Sequence, residues 1–321
     1  MSRAAFLVRP QLTLVREIKL SKPEGNQVLV RLQGCGICES NLSVWEGRPW
    51  FVYPREAGAP GHEGWGIVEA VGAAVTDIDV GERVAMLSGH AYAEFDIAPR
   101  DRVIALPEEL DDEPFPADSC GRAISIFHRS GIRSGHSVAI VGDGLVELLL
   151  AQLAADGGAY VVMLSDRSDA LQLAESMDAD QTLEMTNDGQ DRRRAMELSA
   201  GRGFDCVIEL TGRERMLKLA SAIVAENASL VTDANPSDVR RLRAPSWDGR
   251  DIQLIHGHEP SMTRRIADVQ KAIEAALLGR LDPFPLLTHT VSLNALDQGF
   301  HMLRERPAGF VKALMVNEKA A

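Results

Sequence analysis

The side chains best suited to chemistry sit in three turn-like segments: Gly36-Ile37-Cys38-Glu39-Ser40-Asn41, Gly61-His62-Glu63-Gly64 and Ala117-Asp118-Ser119-Cys120. Thiols, imidazoles and carboxylates bind borderline metal ions, move protons or act as nucleophiles. Singly each segment is a weak signal, because a lone Cys is most often a small buried hydrophobe and a lone His a satisfied turn or core residue.

A fourth segment, Gly142-Asp143-Gly144, follows the β-rich run 137–141 and opens a strongly helical stretch. A dinucleotide pyrophosphate sits at such a place. The first glycine allows the tight turn, the second lets backbone approach phosphate, and the helix N-terminus supplies N–H donors. The third position of that fingerprint requires Gly or Ala for close helix packing, and here it is Glu147, a bulky anion. Two readings stay open: a working dinucleotide site, or a domain of this type whose site is weakened or unused. Asp166, 24 positions after Gly142, is the candidate acid for the ribose hydroxyls of NAD. Arg167 beside it would welcome the 2′-phosphate of NADP, and Asp166 and Asp169 equally suit capping of the next helix.

The elements that must position these groups fall into two textures. Strands are expected at 4–8, 27–32, 66–71, 83–87, 93–97 and 102–106, punctuated by Gly, Pro and Asp. Apolar residues then recur at helical spacing over 119–130, a linker helix ending at Gly131. Beyond it, strands at 137–141, 160–164, 206–210 and 229–232 alternate with helices at 145–155 and 169–177, as in a parallel sheet covered on both faces. A helix at 266–278 and a closing strand at 310–316 complete the pattern.

Together these segments resemble the zinc-dependent medium-chain alcohol and polyol dehydrogenases. The resemblance runs through 34–41, 60–66, 80–84, the helix and turn up to Gly135, the glycine turn and Gly203-Phe204-Asp205. It implies an α/β protein: a GroES-like β-rich catalytic domain over 1–118, a doubly wound Rossmann domain with the linker helix over 119–255, and a return to the catalytic domain over 256–321. By the same resemblance Cys38 and His62 look like the first two catalytic zinc ligands, and Glu63 like the neighbouring acid that can approach the metal. The third ligand comes from just before the linker helix. Gapless alignment back from Gly135 lands on Asp118, with Cys120 as the competitor. Ser40 keeps a relay hydroxyl, and Cys35 reads as packing.

Several family features are replaced. The region 86–95, where a cysteine-rich lobe would hold a structural zinc, contains no Cys, so one catalytic zinc and no structural zinc are expected. Asn41 stands where an acid would orient the ligand His, Ser43 where a relay His is common, and Glu39 where a basic residue is common near the cofactor phosphates. With Glu147, Glu39 implies weak nucleotide affinity. Trp45, Trp50, Phe51 and Tyr53 read either as the wall of a substrate cleft or as a local hydrophobic plug. His256-Gly257-His258-Glu259 has the composition of a second metal cluster, although its place after a strand suits a loop near the nicotinamide.

The expected activity is hydride transfer between a secondary alcohol, such as a polyol or sugar-like metabolite, and NAD, with NADP open. The alternative is the same fold with hydride transfer lost: a zinc-assisted lyase, isomerase or cyclase, or a non-catalytic partner, motivated by Glu147, Glu39 and Asn41. Composition agrees with a small-molecule enzyme. The 321 residues are 45% hydrophobic and carry a net charge of −12, which argues against a nucleic-acid surface. No apolar run approaches the roughly 20 residues of a membrane helix, the start lacks a signal core, and 4 Cys make no secreted disulfide framework. The expectation is a cytoplasmic homodimer or homotetramer.

Overall fold

In the computed structural model, which describes residues 1–110, 113–233 and 249–317, the chain opens with an antiparallel pair, β1 (Ser2–Arg9) and β2 (Leu12–Ile18). Next come β3 (Gln27–Ile37), a short helix α1 (Leu42–Glu46), β4 (Gly64–Val71), β5 (Arg83–Met86), β6 (Phe95–Pro99) and β7 (Val103–Ala105). β3 continues past the expected end at Leu32. Its glycines read as turn residues, yet Gly34 pairs with Trp65 and Gly36 with Leu314 in the sheet. That extension carries the ladder to the doorstep of Cys38.

Helix α2 (Ala117–Ser130) starts directly after Pro116, so Asp118 lies in its first turn and not ahead of it. Then follow β8 (Ser137–Val141), α3 (Leu145–Asp156), β9 (Tyr160–Ser165), α4 (Ser168–Ser176), β10 (Gln181–Glu184), α5 (Asp191–Leu198), β11 (Phe204–Glu209), α6 (Glu214–Ile223), β12 (Val224–Thr232) and β13 (Gln253–His256). The last stretch holds α7 (Met262–Leu277), β14 (His289–Ser292), α8 (Leu296–Glu305) and β15 (Ala313–Val316).

The chain divides into two units. Met1–Gly121, Met262–Leu277 and Pro283–Ala321 form the first; Arg122–Ser261 and Leu278–Asp282 form the second. In the first, the sheet runs β14-β15-β3-β4-β5-β7, with β6 also paired to β3. Its core gathers Val28, Val30, Leu32, Ile37, Val68, Met86, Trp45 and Phe300. Trp45 is completely buried, stacks on Phe300 at 5.5 Å and donates its indole N–H to Asp297 at 2.8 Å, so it is core packing and not a cleft wall. Trp50 is half exposed.

The second unit is a six-stranded sheet in the order β10-β9-β8-β11-β12-β13, parallel at every junction, which is the doubly wound Rossmann arrangement. β8 and β9 are continuous β-branched and apolar runs because helices cover both faces of a parallel sheet. Ala139, Val141, Val162, Leu164, Val207 and Leu230 form that core. β13, the strand expected just before the His256 loop, is at the edge of the sheet and mostly exposed.

Candidate metal centre and glycine turn

Strand register builds the first site. β3 and β4 run antiparallel with Cys35 opposite Gly64, and the Gly36 N–H donates to the Glu63 carbonyl at 3.0 Å. The chain leaving β3 therefore passes the chain entering β4, and Cys38 meets His62 and Glu63. The ligating atoms of these residues lie within 4.8 Å of one another; among the described residues they are the only such group of three.

Burial and the Glu63 carboxylate push the Cys38 thiol up, but the hydrogen bond and charge of His62, with Lys312 behind, outweigh them and hold it below the usual thiol value. Burial alone would pull the His62 imidazole down; the bond and charge of Cys38, then Asp118 and Glu63, raise it to about 10. Each of the two thus favours the charged form of the other. The Ser40 hydroxyl, exposed, donates to the Cys38 sulfur at 3.2 Å, and the buried Ser43 hydroxyl donates to the Ser40 carbonyl at 3.3 Å.

Asp118 reaches this group from α2, with Oδ2 3.6 Å from His62 Nε2. Its Oδ1 accepts from Arg265 of α7 at 2.7 Å. That pairing needs α2 and α7 in close contact, and Gly121 permits it: a Cβ there would come within 2.7 Å of the Val269 side chain and 3.0 Å of its backbone nitrogen. Cys120 is completely buried two residues further along the helix, about 200° around the axis, with its thiol pushed far up by burial and by Glu63. Glu63 is almost fully buried, with Oε1 taken by the Ser119 hydroxyl and Oε2 2.6 Å from Lys312 Nζ. Lys312 sits just before β15, whose Ala313 pairs with Ile37. Burial would lower the ammonium, yet Glu63 and Cys38 keep it above its ordinary value. Cys35 packs in the core. Glu39 is exposed, 3.5 Å from Arg306.

This donor set suits zinc. A thiol held below its usual value, a carboxylate anchored through one oxygen, and an imidazole whose Nδ1 lies 3.1 Å from the Pro60 carbonyl, leaving Nε2 toward the acid, are what a tetrahedral N/S/O site uses. Glu63 is close enough to be a ligand, but its two oxygens already serve Ser119 and Lys312.

The second site is the turn after β8. Gly142 has φ +132°, a conformation glycine adopts at no steric cost, and Gly144 caps α3 at its N-terminus. Glu147 does not swing into solvent. It is buried and folds back over the turn: a Cβ on Gly142 would lie 2.5 Å from its Oε1. Asp143, also buried, accepts from the Ser165 hydroxyl at 2.6 Å. Glu209, fully buried at the end of β11, pairs in register with Val141 and accepts from Thr211 at 2.5 Å. Asp166 accepts from Arg213 at 2.6 and 3.2 Å and from Arg215 at 3.3 Å. Partial burial pushes its carboxyl up, and these guanidiniums overcome it and hold it below the usual carboxylate value. Arg167 pairs with Asp169 at 2.7 Å and lies 3.9 Å from Asp143. His256 and His258 are exposed, and Glu259 is tied to Arg129 and the Ser261 N–H instead of to them.

Sequence reasoning passed over Asn41–Tyr92 contact, Lys312, Arg265, Arg213 and Arg215. Each comes from far along the chain. The buried acids Asp143 and Glu209 did carry a signal, since both end apolar strand runs.

Comparison with known proteins identifies the family. The alcohol dehydrogenase GroES-like domain family matches residues 24–108, and the zinc-binding dehydrogenase family matches residues 146–258. An alcohol dehydrogenase of Geobacillus stearothermophilus is 26% identical over 327 residues, covering 91% of this chain and 92% of that protein. Among solved structures, a 2R,3R-butanediol dehydrogenase from Bacillus subtilis superposes with TM-score 0.86 at 20% identity, covering 99% of this chain and 100% of the other. A galactitol-1-phosphate dehydrogenase from Escherichia coli does so with TM-score 0.83 at 20% identity, covering 98% and 100%. The chain belongs to the zinc-dependent medium-chain dehydrogenase family.

Proposed function

We propose that this protein is a zinc-dependent oxidoreductase that moves a hydride between a secondary alcohol, of polyol or sugar-like type, and a nicotinamide cofactor, NAD or NADP. The observation that carries the reading is the convergence of Cys38, His62 and Asp118, with the Ser40 hydroxyl on the same sulfur. These three residues would hold one zinc, and the chain would hold no structural zinc. Zinc when bound supplies Lewis acidity toward a hydroxyl oxygen, and the nicotinamide supplies the hydride acceptor. Ser40, exposed at the edge of the site, takes the proton released at the substrate oxygen and passes it to solvent. Glu63 stays with Lys312 and Ser119, balancing charge behind the donor set. Gly142, whose N–H is spent on the Leu164 carbonyl at 2.9 Å, would supply the tight turn, Gly144 and the N-terminus of α3 would receive the pyrophosphate, and Asp166 would take the ribose. An acidic third ligand and the names of the diol and polyol-phosphate dehydrogenases of similar fold favour a polyhydroxylated substrate.

A second reading, in which the nucleotide site is unused and the metal serves a lyase, isomerase or cyclase, draws on the buried Asp143, Glu147 and Glu209 around the glycine turn. The protein is further proposed to be cytoplasmic and to pair as a homodimer or homotetramer. The exposed edge strand β13, with Leu254 51% exposed, supports pairing; among the described residues no helix is long and apolar enough to cross a membrane.

The test combines metal content with turnover. Protein purified without chelator should carry about one zinc per chain and should oxidise members of a secondary-alcohol and polyol panel with NAD+ or NADP+. Zinc binding without any nucleotide binding or reduction would replace this reading by the second.

A further inference from the structure

Behind His62 lies a short buried chain of hydrogen-bonding groups. Asn41 Nδ2 is 3.3 Å from His62 Nδ1, and the Tyr92 hydroxyl is 2.9 Å from Asn41 Oδ1 and 3.3 Å from the Gly36 carbonyl oxygen. Tyr92 is completely buried and Asn41 is 4% exposed, so water does not complete these partners. Tyr92 is delivered by the segment between β5 and β6, whose backbone is pinned by Ala91 N–H to Gly61 O at 3.0 Å and Tyr92 N–H to Gly58 O at 3.0 Å.

The proton positions can be worked out by elimination. His62 Nδ1 lies 3.1 Å from the Pro60 carbonyl, which can only accept, so Nδ1 carries a proton. An amide N–H aimed at that same nitrogen would set donor against donor. Amide oxygen and nitrogen differ too little in scattering or shape to be told apart except by their partners. Turning the Asn41 amide over resolves every contact: Oδ1 accepts from His62 Nδ1–H, Nδ2–H donates to the Tyr92 oxygen, and the Tyr92 proton goes to Gly36 O. The opposite orientation either sets Nδ1–H against the amide N–H or, in the neutral ring, moves the proton to Nε2 on the side of Asp118.

We infer that Tyr92 is a positioning residue for the metal site: by accepting from the Asn41 amide it selects the face of Asn41 that fixes His62 in its Nδ1–H form, with Nε2 directed at the metal. An aspartate at position 41 would need no such selection, because both its oxygens accept. The pair Asn41–Tyr92 thus does with a neutral side chain what a single carboxylate would do with charge. This rests on the zinc reading of Cys38, His62 and Asp118 but not on the redox reaction.

The experiment is a double-mutant cycle on zinc affinity, read by competition with a chromophoric chelator, for the wild type, Tyr92→Phe, Asn41→Asp and the double variant. Tyr92→Phe should weaken zinc about tenfold, the lower end for loss of a supporting partner of a ligand His. In the Asn41→Asp background the same substitution should cost less than about twofold. Equal losses in both backgrounds would reduce Tyr92 to packing and overturn the inference. A wild type that binds no zinc would remove the site itself, and this inference with it. Should Asn41→Asp fail to fold, the His62 ring 15N shifts of zinc-loaded wild type and Tyr92→Phe decide. A Nδ1–H signature that weakens or mixes in Tyr92→Phe supports the inference, and an unchanged one overturns it.

Discussion

The metal centre and the glycine turn hold negative charge at different distances from their cations. At the metal centre each anion has a cation built beside it: Cys38 has His62, Asp118 has Arg265 at 2.7 Å, and Glu63 has Lys312 at 2.6 Å. Around the turn, Asp143 accepts from Ser165 with the Arg167 guanidinium more distant at 3.9 Å, Glu209 accepts from Thr211, and Glu147 lies over Gly142. An arriving metal cation can displace a proton from a balanced cluster. An arriving pyrophosphate meets buried acids where the helix N-terminus would otherwise welcome it. On the proposed reading the donor set keeps its metal chemistry, and the buried acids around the turn lower the affinity for a nucleotide.

Removing a ligand should break the first half of that comparison most severely. Cys38→Ser should abolish zinc retention, a loss of at least about a hundredfold, while leaving the thermal midpoint of the metal-free protein within a few degrees, because a catalytic site adds little to the core. Elemental analysis and a melting curve check both. If the variant keeps its zinc, Cys38 is not a ligand.

The pH dependence follows in size. In the metal-free protein His62 is raised to about 10, so at neutral pH zinc must displace its proton, while the Cys38 thiol is held below its usual value. Affinity should rise with pH by about one log unit per unit, roughly a hundredfold between pH 7 and pH 9, and level off above the His62 value. Calorimetry in buffers of different ionisation heat should find about one proton released per zinc. Next comes the third ligand: Asp118→Asn should weaken zinc about 10- to 100-fold and Cys120→Ser by far less, since Cys120 is a buried neutral thiol turned away around the helix. The reverse ranking in chelator competition would reassign the ligand.

What was legible in the sequence follows the same divide. Local patterns sufficed for the βαβ alternation and the glycine turn, because each depends on residues within one strand, turn or helix, whereas Cys38, His62 and Asp118 were joined into one candidate site only through the family resemblance. Lys312, Arg265 and Tyr92 reach the metal site only through sheet register and the α2–α7 contact, neither of which leaves a local trace. Trp45 was open to misreading for a related reason: its partners Phe300 and Asp297 lie on and around α8, a helix whose apolar spacing at Leu296, Phe300 and Leu303 went unused. Glu147 shows the converse, a local anomaly whose direction only the packing against Gly142 reveals.

That packing sharpens the second half of the comparison. Glu147→Ala, which restores a permitted fingerprint residue without placing a glycine in the helix, should tighten NADH about tenfold or more. Unit charges about 4 Å apart repel by about 1 kcal/mol in water and about 4 at an intermediate dielectric, and each 1.4 kcal/mol is a factor of ten. Calorimetric titration of both proteins at one salt concentration is the measurement. Equal, tight binding by both would mean that Glu147 is neutralised in place and that the turn is an ordinary nucleotide site.

The smallest effect concerns which nucleotide is preferred. Asp166 spends its oxygens on Arg213 and Arg215, and its side chain is 31% exposed, so this cluster is screened by solvent. Binding the ribose diol of NADH asks Asp166 to loosen those pairs; binding the 2′-phosphate of NADPH asks the arginines to leave Asp166 for a stronger anion. Asp166→Asn keeps the shape and removes the charge that both repels the phosphate and occupies the arginines. Exposed pairs of this kind are worth about 0.2–1 kcal/mol, so the ratio of NADPH to NADH affinity should rise only about two- to fivefold. Arg213→Ala in the same variant should reverse the gain, and added salt should shrink it. A ratio that does not move, with both cofactors still bound, would place the adenosine ribose away from Asp166 and leave that acid as a brace between β9 and the segment after β11.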